Sequence, residues 1–511
     1  MPRPGRAPAG SWMGAWTVAV LAAGPVAAGE GAFDPAPWIE DLHQVRAVMT
    51  QKYANFEWAV FERRMPLEEL FKATEARLRA ADSDADARQI IDRSLQSIGD
   101  AHLRIQWPSP ATGVAADAGE PKTLCQALGY DVALRGQGIG TTLPGYHALG
   151  DEMAAEFPGG VIRAGPSTVG VVRVGMFGPQ GYPELCTSAR EALGIAESAV
   201  CDAACANHIE AAVYELMGQD LARRIRQLSR SGSSVLLIDI TGNGGGSEWA
   251  EAAARMVSPL GLRSERREGV RGEHWAGYWE TLARELRDAA HAAPAEDAPQ
   301  LERWAQQVDQ ARIAASTPCS AEAFWSGRRP PCKWLAPAFY ATGILAEADA
   351  ATLRGKPWGP LVFSPAQYDF ESAVWQGPVL VLVNQGTASA AEQFAAVLQD
   401  NRAAAIIGTR TLGAGCGHTR GGTPTLLAHS RGVLLLPDCA RVRLDDSNEV
   451  HGIDPDVPVG LQTTEGVPDA GRWVGEALAR GIETAERLCA QAHCRQPAAA
   501  NMPSLSSAQA P

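Results

Sequence analysis

A serine, a histidine and a glycine-rich turn have the surroundings in which this chain could do chemistry. An apolar run from Val379 to Val383 ends in Asn384, and a tight Gly386-Thr387-Ala388 turn follows. A helix is expected to open at or just after Ser389, putting that hydroxyl at a helix N-terminus on the edge of a packed sheet. Unpaired backbone N–H groups and the helix dipole favour developing negative charge there. It is a suitable place for a serine nucleophile. Ser389 followed by Glu392 is also a capping box, so a purely structural reading stands beside the catalytic one.

Such a nucleophile needs a base, an orienter for the base and oxyanion donors. Gly244-Gly245-Gly246 follows a second buried run, Val235 to Ile240, so its N–H groups could face a bound carbonyl oxygen. The N–H of Ala390, just after the serine, is the second candidate donor. A tight strand-to-helix turn explains the glycines equally well. Ten histidines compete for the role of base. His102 lies where a helix gives way to a strand, between Ser97 and Ile105, although single histidines are more often structural or solvated.

The elements that must position these residues read as an α/β chain. Trp38 to Lys52, Pro66 to Ala80 and Ala85 to Ile98 carry apolar residues at helical spacing, which predicts an N-terminal helical domain over 36–98. Residues 168–176 and 235–240 read as strands, with a helix from Ala206 to Arg230 between them. Strand, glycine turn and helix then recur at 379–400. Glycines 136, 138 and 140 form no phosphate loop, because no strand–Gly–helix frame surrounds them. The expected core therefore has two parts, 99–261 and 373–465, separated by a Trp-rich helical insertion at 262–372. The insertion's helices are expected at Glu273 to Ala292 and Pro299 to Ala314. It reads either as a stapled surface subdomain or as a lid over a cleft. A C-terminal helix is expected at 466–495 and a disordered Ala/Pro/Ser-rich tail at 496–511.

A net charge of −13 with no long basic run argues against nucleic acid as a partner. The first 28 residues read as a secretory signal, with Arg3 and Arg6, a short apolar stretch from Trp12 to Ala23, and cleavage near Ala28. An uncleaved anchor is the alternative, and no other segment is apolar enough to imply stable membrane insertion. The expected location is periplasmic or secreted. Ten cysteines, none in a C-x-x-C pair, suit an oxidising compartment and speak against a zinc site. Cys319 with Cys332, Cys416 with Cys439 and Cys489 with Cys494 are candidate short-range disulfides. The pairing of Cys125, Cys186, Cys201 and Cys205 stays open.

Four stretches together resemble the tail-specific, or C-terminal processing, serine protease family, in that family's order. They are Gly99-Asp100-Ala101-His102, Asp239 through Asn243 to the glycine turn, Thr387-Ala388-Ser389-Ala390-Ala391-Glu392, and Glu449 through Gly452-Ile453 to Pro455-Asp456. The strand-like Ala405 to Gly415 also fits, and the resemblance spans roughly 36–460. One branch of the family uses a serine–lysine dyad, but the lysine position here holds Ala414, which accepts no proton. The tricorn-type branch uses serine, histidine and glutamate, and the resemblance assigns these roles to Ser389, His102 and Glu449. It also implies oxyanion donors at Gly245 and Ala390. Ala101 departs from the pattern, because that branch carries a second serine there. No PDZ-like signature is present between His102 and Thr168.

The resemblance implies a crotonase/ClpP-like ββα core with an N-terminal helical domain and a helical insertion. It implies an exported serine endopeptidase that acts on peptides or unfolded proteins through an acyl-enzyme, with no metal or cofactor. The competing expectation is a non-catalytic binding protein for an apolar ligand or peptide on the same fold.

Overall fold

Runs such as Val379–Val383 and Val235–Ile238 have no polar face, so they are suited to a sheet covered on both sides. The computed structural model describes residues 33–108, 123–150, 156–317, 319–417, 425–459 and 470–494. The segments expected as signal, 1–28, and as tail, 496–511, lie outside the described residues.

The central sheet has seven strands: β1 (His147–Ala148), β2 (Gly159–Ala164), β3 (Ser167–Arg173), β4 (Val235–Asp239), β5 (Val379–Val383), β6 (Ala405–Gly408) and β7 (Val457–Pro458). They lie side by side in chain order. β1, β2 and β3 pair antiparallel, and every pairing from β3 onward is parallel. The register places Val172 beside Ile238, Ile238 beside Val381 and Val381 beside Ile406. Side chains alternate between faces. Leu236, Ile238, Val379, Val381 and Ile406 belong to the large core, together with the crossover helices. Leu237, Leu380, Leu382 and Ile407 belong to a second core with Leu478 and Ile482 of the C-terminal helix.

The helices that position the site are α1 (Ala36–Lys52), α2 (Leu67–Leu78), α3 (Asp84–Ile98), α4 (Ala203–Arg230), α5 (Trp249–Met256), α6 (Glu273–Ala292), α7 (Ala298–Ser316), α8 (Ala390–Asp400) and α9 (Ala470–Gln491). Trp38, Leu42, Val45 and Met49 form the buried stripe of α1. Ser83 caps α3 by accepting from the Asp86 N–H, and Gly99 ends that helix at φ 84°, a conformation glycine adopts at little cost. The chain then turns through His102 into a short strand, Arg104–Gln106, which pairs antiparallel with Val433–Leu435.

Two expectations change in the structure. The stretch 405–415 is strand only as far as Gly408, after which the chain leaves the sheet. There Thr411, Gly413 and Ala414 donate to the buried Glu392 carboxylate instead of continuing a ladder. The 262–372 segment contains the α6–α7 pair but also two strands, Arg266–Val270 and Leu335–Tyr340. The first of these pairs with Cys439–Val442 near the site. Its charged RREGV sequence lacks the apolar alternation that signals a strand. The segment also packs on the N-terminal helices: Trp334 Nε1 donates to Tyr53 O, and Phe324 stacks on Phe56.

Candidate active site

β5 delivers the chain into a turn that is over-determined by hydrogen bonds. Thr387 Oγ1 donates to Ile240 O and accepts from the Asn384 N–H, and Ala388 N–H donates to Asn243 O. Ser389 then stands at φ 55°, ψ −119°, immediately before α8. A non-glycine residue in such a conformation costs on the order of 1–3 kcal/mol and persists only where its surroundings enforce it. Ser389 N–H donates to Glu392 Oε2 and Ser389 O accepts from Arg441 Nη2, so both backbone groups are held.

Gly245, at φ 108°, lies against this elbow. A Cβ there would fall 2.8 Å from Ser389 Cβ and 2.9 Å from Ala390 N, so only glycine lets the two turns approach. Gly245 N–H donates to Asn243 Oδ1 at 2.9 Å, within its own turn. Asp239, first residue of the same motif, shapes the turn by accepting from the Thr241 N–H and hydroxyl and from the Gly140 N–H.

Asp100 builds the turn that carries His102. It is buried and accepts from His102 N–H, Tyr53 Oη and Asn55 Nδ2. Burial raises its pKa above the usual carboxylate value, and the donors pull it back. His102 Nδ1 lies 2.5 Å from Ala414 O. A carbonyl can only accept, so Nδ1 carries the hydrogen and the neutral ring has its lone pair on Nε2. Gly417 abuts the same ring: a Cβ there would lie 3.3 Å from Cε1 and 3.4 Å from Nε2.

Ser389 and His102 are joined through the segment that leaves the sheet after Gly408. The Glu392 carboxylate, one turn into α8, accepts from Ser389 N–H, Thr411 Oγ1, Gly413 N–H and Ala414 N–H. Burial raises the Glu392 pKa, opposed by those four donors. The carbonyl of the same Ala414 holds the imidazole. Glu392 thus acts as the cap its spacing suggested and also ties the serine elbow to the histidine's support.

Glu449 is fully buried, and its carboxylate engages Arg441, whose Nη2 donates to Oε1 at 3.0 Å and whose Nε contacts Oε2. Burial pushes its pKa up to about 7, while Arg441 pulls it down. Arg441 also donates to Gly415 O, Ser389 O and Gln393 Oε1. The acceptor on His102 Nδ1 is therefore the Ala414 carbonyl, and Glu449 stands behind it on the arginine that fixes the next residue, Gly415.

Residues 208–459 match the sequence model of Peptidase family S41. The matched segment, just under half of the chain, is similar to the tail-specific proteases. A carboxyl-terminal-processing protease of Synechocystis sp. is 38% identical over 81 residues, which cover 16% of this chain and 18% of that protein. The chain thus matches less than a fifth of that relative's length. Among solved structures, mature CPAF superposes with a TM-score of 0.51 at 14% identity, covering 89% of this chain and 98% of that one. A point variant of CPAF gives 0.50 at 15% identity, covering 90% and 98%. At these identities the likeness concerns the fold.

Within that family frame, two residues of the site had escaped sequence reasoning. Arg441 sits in the otherwise apolar Cys439–Val442 strand, where a lone buried arginine is itself a signal of a paired site. Glu265 lies beside Arg441 but comes from the insertion, too far along the chain for spacing to reveal.

The cysteines of the three short-range candidate pairs are joined as Cys319–Cys332, Cys416–Cys439 and Cys489–Cys494. Two further disulfides, Cys125–Cys186 and Cys201–Cys205, join the four whose pairing the sequence left open. A cleft of about 310 Å³ opens beside Thr411 and Leu412, between Trp58, Arg63, Gly99, Val450 and His451. Among the described residues, no group of three or more His, Cys, Asp or Glu side chains could hold a metal ion. No described helix is long and apolar enough to cross a membrane.

Proposed function

We propose that this chain is an exported serine endopeptidase of the tricorn-type, serine–histidine kind. The observation that carries the reading is the forced backbone of Ser389, pressed against a glycine that leaves room for no side chain. A capping serine needs no such strain. Ser389 Oγ attacks the peptide carbonyl carbon, and His102 Nε2 takes the hydroxyl proton. The oxyanion is met by Ala390 N–H and by Gly245 N–H, the latter shared with Asn243 Oδ1. Collapse breaks the C–N bond, and His102 returns the proton to the departing amine. Water, activated by the same nitrogen, then releases the acyl group and restores Ser389.

Ala414 supplies no amine, so a serine–lysine dyad has no base at that position. Its carbonyl instead orients His102. Glu449 supports the imidazolium from behind, through Arg441 and the Gly415 carbonyl. The cleft beside Leu412 adjoins the elbow, since Leu412 N–H donates to Thr387 O, and it receives the peptide or unfolded protein segment. Five disulfides among the described residues suit an oxidising compartment, periplasmic or extracellular. The test is peptide cleavage by the purified chain and by Ser389→Ala. Cleavage by the first alone supports the reading, and equal cleavage by both removes Ser389 from the mechanism.

A further inference from the structure

Three ionisable side chains are packed together behind the Ser389 elbow with only one positive charge among them. Glu265, Arg441 and Glu449 are at most 7% exposed. Arg441 spends its donors on Glu449, Ser389 O, Gly415 O and Gln393, and its Nε stands 3.9 Å from Glu265 Oε2. Both Glu265 oxygens are inaccessible to solvent and receive no hydrogen bond, and Glu449 Oε2 receives none of good geometry. The Glu265 and Glu449 carboxyls meet the same Arg441 Nε, at 3.9 Å from Glu265 Oε2 and in contact with Glu449 Oε2. Two ionised carboxylates cannot satisfy each other, since both only accept. One proton between them turns an orphan acceptor into a donor and makes the trio electrically neutral.

We propose that Glu265 is a positioning residue that shares a proton with Glu449, and that this singly charged pair holds Arg441 where it fixes the Ser389 elbow and the loop behind His102. The inference rests on the serine-peptidase reading of that site.

The surrounding charges leave the proton on this pair. Arg443, which also feels the Glu265 charge, is committed to Asp400. Arg255 is committed to Glu251. Glu392, on the α8 side, already has four donors of its own. Burial and the facing Glu449 charge both push the Glu265 carboxyl well above the usual range, with Arg441 opposing. Two interacting carboxyls lose their protons as a unit. As pH rises the shared proton leaves and the pair becomes doubly negative. Arg441 is then drawn toward Glu265 and away from the two carbonyls it positions.

The experiment uses the full chain as wild type, Glu265→Gln and Glu265→Ala. It measures kcat/KM for peptide cleavage and the rate of Ser389 phosphonylation across pH, with an infrared difference spectrum at neutral pH. Glu265→Ala is expected to lower both rates roughly tenfold or more. Glu265→Gln, which keeps a donor facing Glu449, is expected to restore most of that loss and to abolish the alkaline fall in rate. The wild-type spectrum should contain a protonated-carboxyl band that Glu265→Gln removes. The proposal is overturned if the glutamine variant keeps the wild-type alkaline limb, if the band survives in it, or if folded Glu265→Ala matches wild type. If Glu265→Ala does not fold, the near-isosteric glutamine variant decides. A wild-type chain that neither cleaves nor labels would defeat the peptidase reading, and the infrared band would still decide the shared proton.

Discussion

His102 and Ala414 are joined ring to backbone, with Nδ1 2.5 Å from the peptide oxygen. The contact puts the Nδ1 hydrogen on a backbone acceptor and ties the ring to the path of 411–417. Ala101, where the resemblance leads one to expect a second serine, matters less once the orienting acceptor comes from this loop.

If His102 is the base, kcat/KM should fall as the medium is acidified, because the protonated ring has no lone pair to accept a proton. His102→Gln should lose roughly 10⁴-fold or more, and the double variant with Ser389→Ala little beyond that, since the two act as a unit. Steady-state kinetics on the three purified variants checks this. Loss of comparable size on replacing His451, which pairs with Glu62 at 2.6 Å, would show that the base is misassigned.

Gly413 should tolerate no side chain. It sits at φ 84°, and a Cβ would fall 2.5 Å from Val450 O. Gly413→Ala should cost about 1–3 kcal/mol of stability. It should also lower activity in protein that is still folded, because Gly413 and Ala414 share the Glu392 anchor. Urea unfolding alongside kinetics separates the two effects.

The Cys416–Cys439 bridge joins the loop behind His102 to the strand that carries Arg441. Replacing both cysteines with serine should cost about 3 kcal/mol by the loop-entropy estimate. It should also reduce kcat/KM more than the same change at Cys319 and Cys332, which staple the insertion. Equal activity in the two double-serine proteins would show that the bridge has no part in holding the loop.

Stability should carry the mark of the Glu265–Glu449 pair. Unfolded glutamates titrate near 4.3. Burial raises both groups in the folded protein, Glu449 to about 7. Between those values the folded state binds more protons than the unfolded one, so this contribution falls as pH rises, by about 1.4 kcal/mol per unit for one proton. Urea midpoints of wild type minus Glu265→Gln, followed across pH, isolate it. A difference that is flat or rises over that window contradicts the assignment.

What the sequence revealed follows from how local each signal is. The runs at 235–238 and 379–383 announce buried strands because every residue in them is apolar, and the Ser389 turn is written in seven consecutive residues. The exit from the sheet after Gly408 was hidden because the groups that draw the segment away, Glu392, Thr387 and Ile453, lie far from it in sequence. The Arg266–Val270 strand carries charge although it is the middle strand of its three-stranded sheet, so no apolar periodicity marks it. Glu265 meets Arg441 and Glu449 across more than 170 residues of chain, a meeting that depends on the register between Val442 and Arg266. The Ala414 carbonyl that holds His102 is a backbone group, which no residue type can advertise.

The central claim is that Ser389 is a nucleophile activated by His102. Reacting the folded chain with a fluorophosphonate and locating the adduct by peptide mass mapping tests it most directly. The account predicts a single adduct on Ser389, absent in Ser389→Ala and formed orders of magnitude more slowly in His102→Gln. A folded chain that stays unlabelled, carries the adduct elsewhere, or labels equally fast without His102 would contradict it.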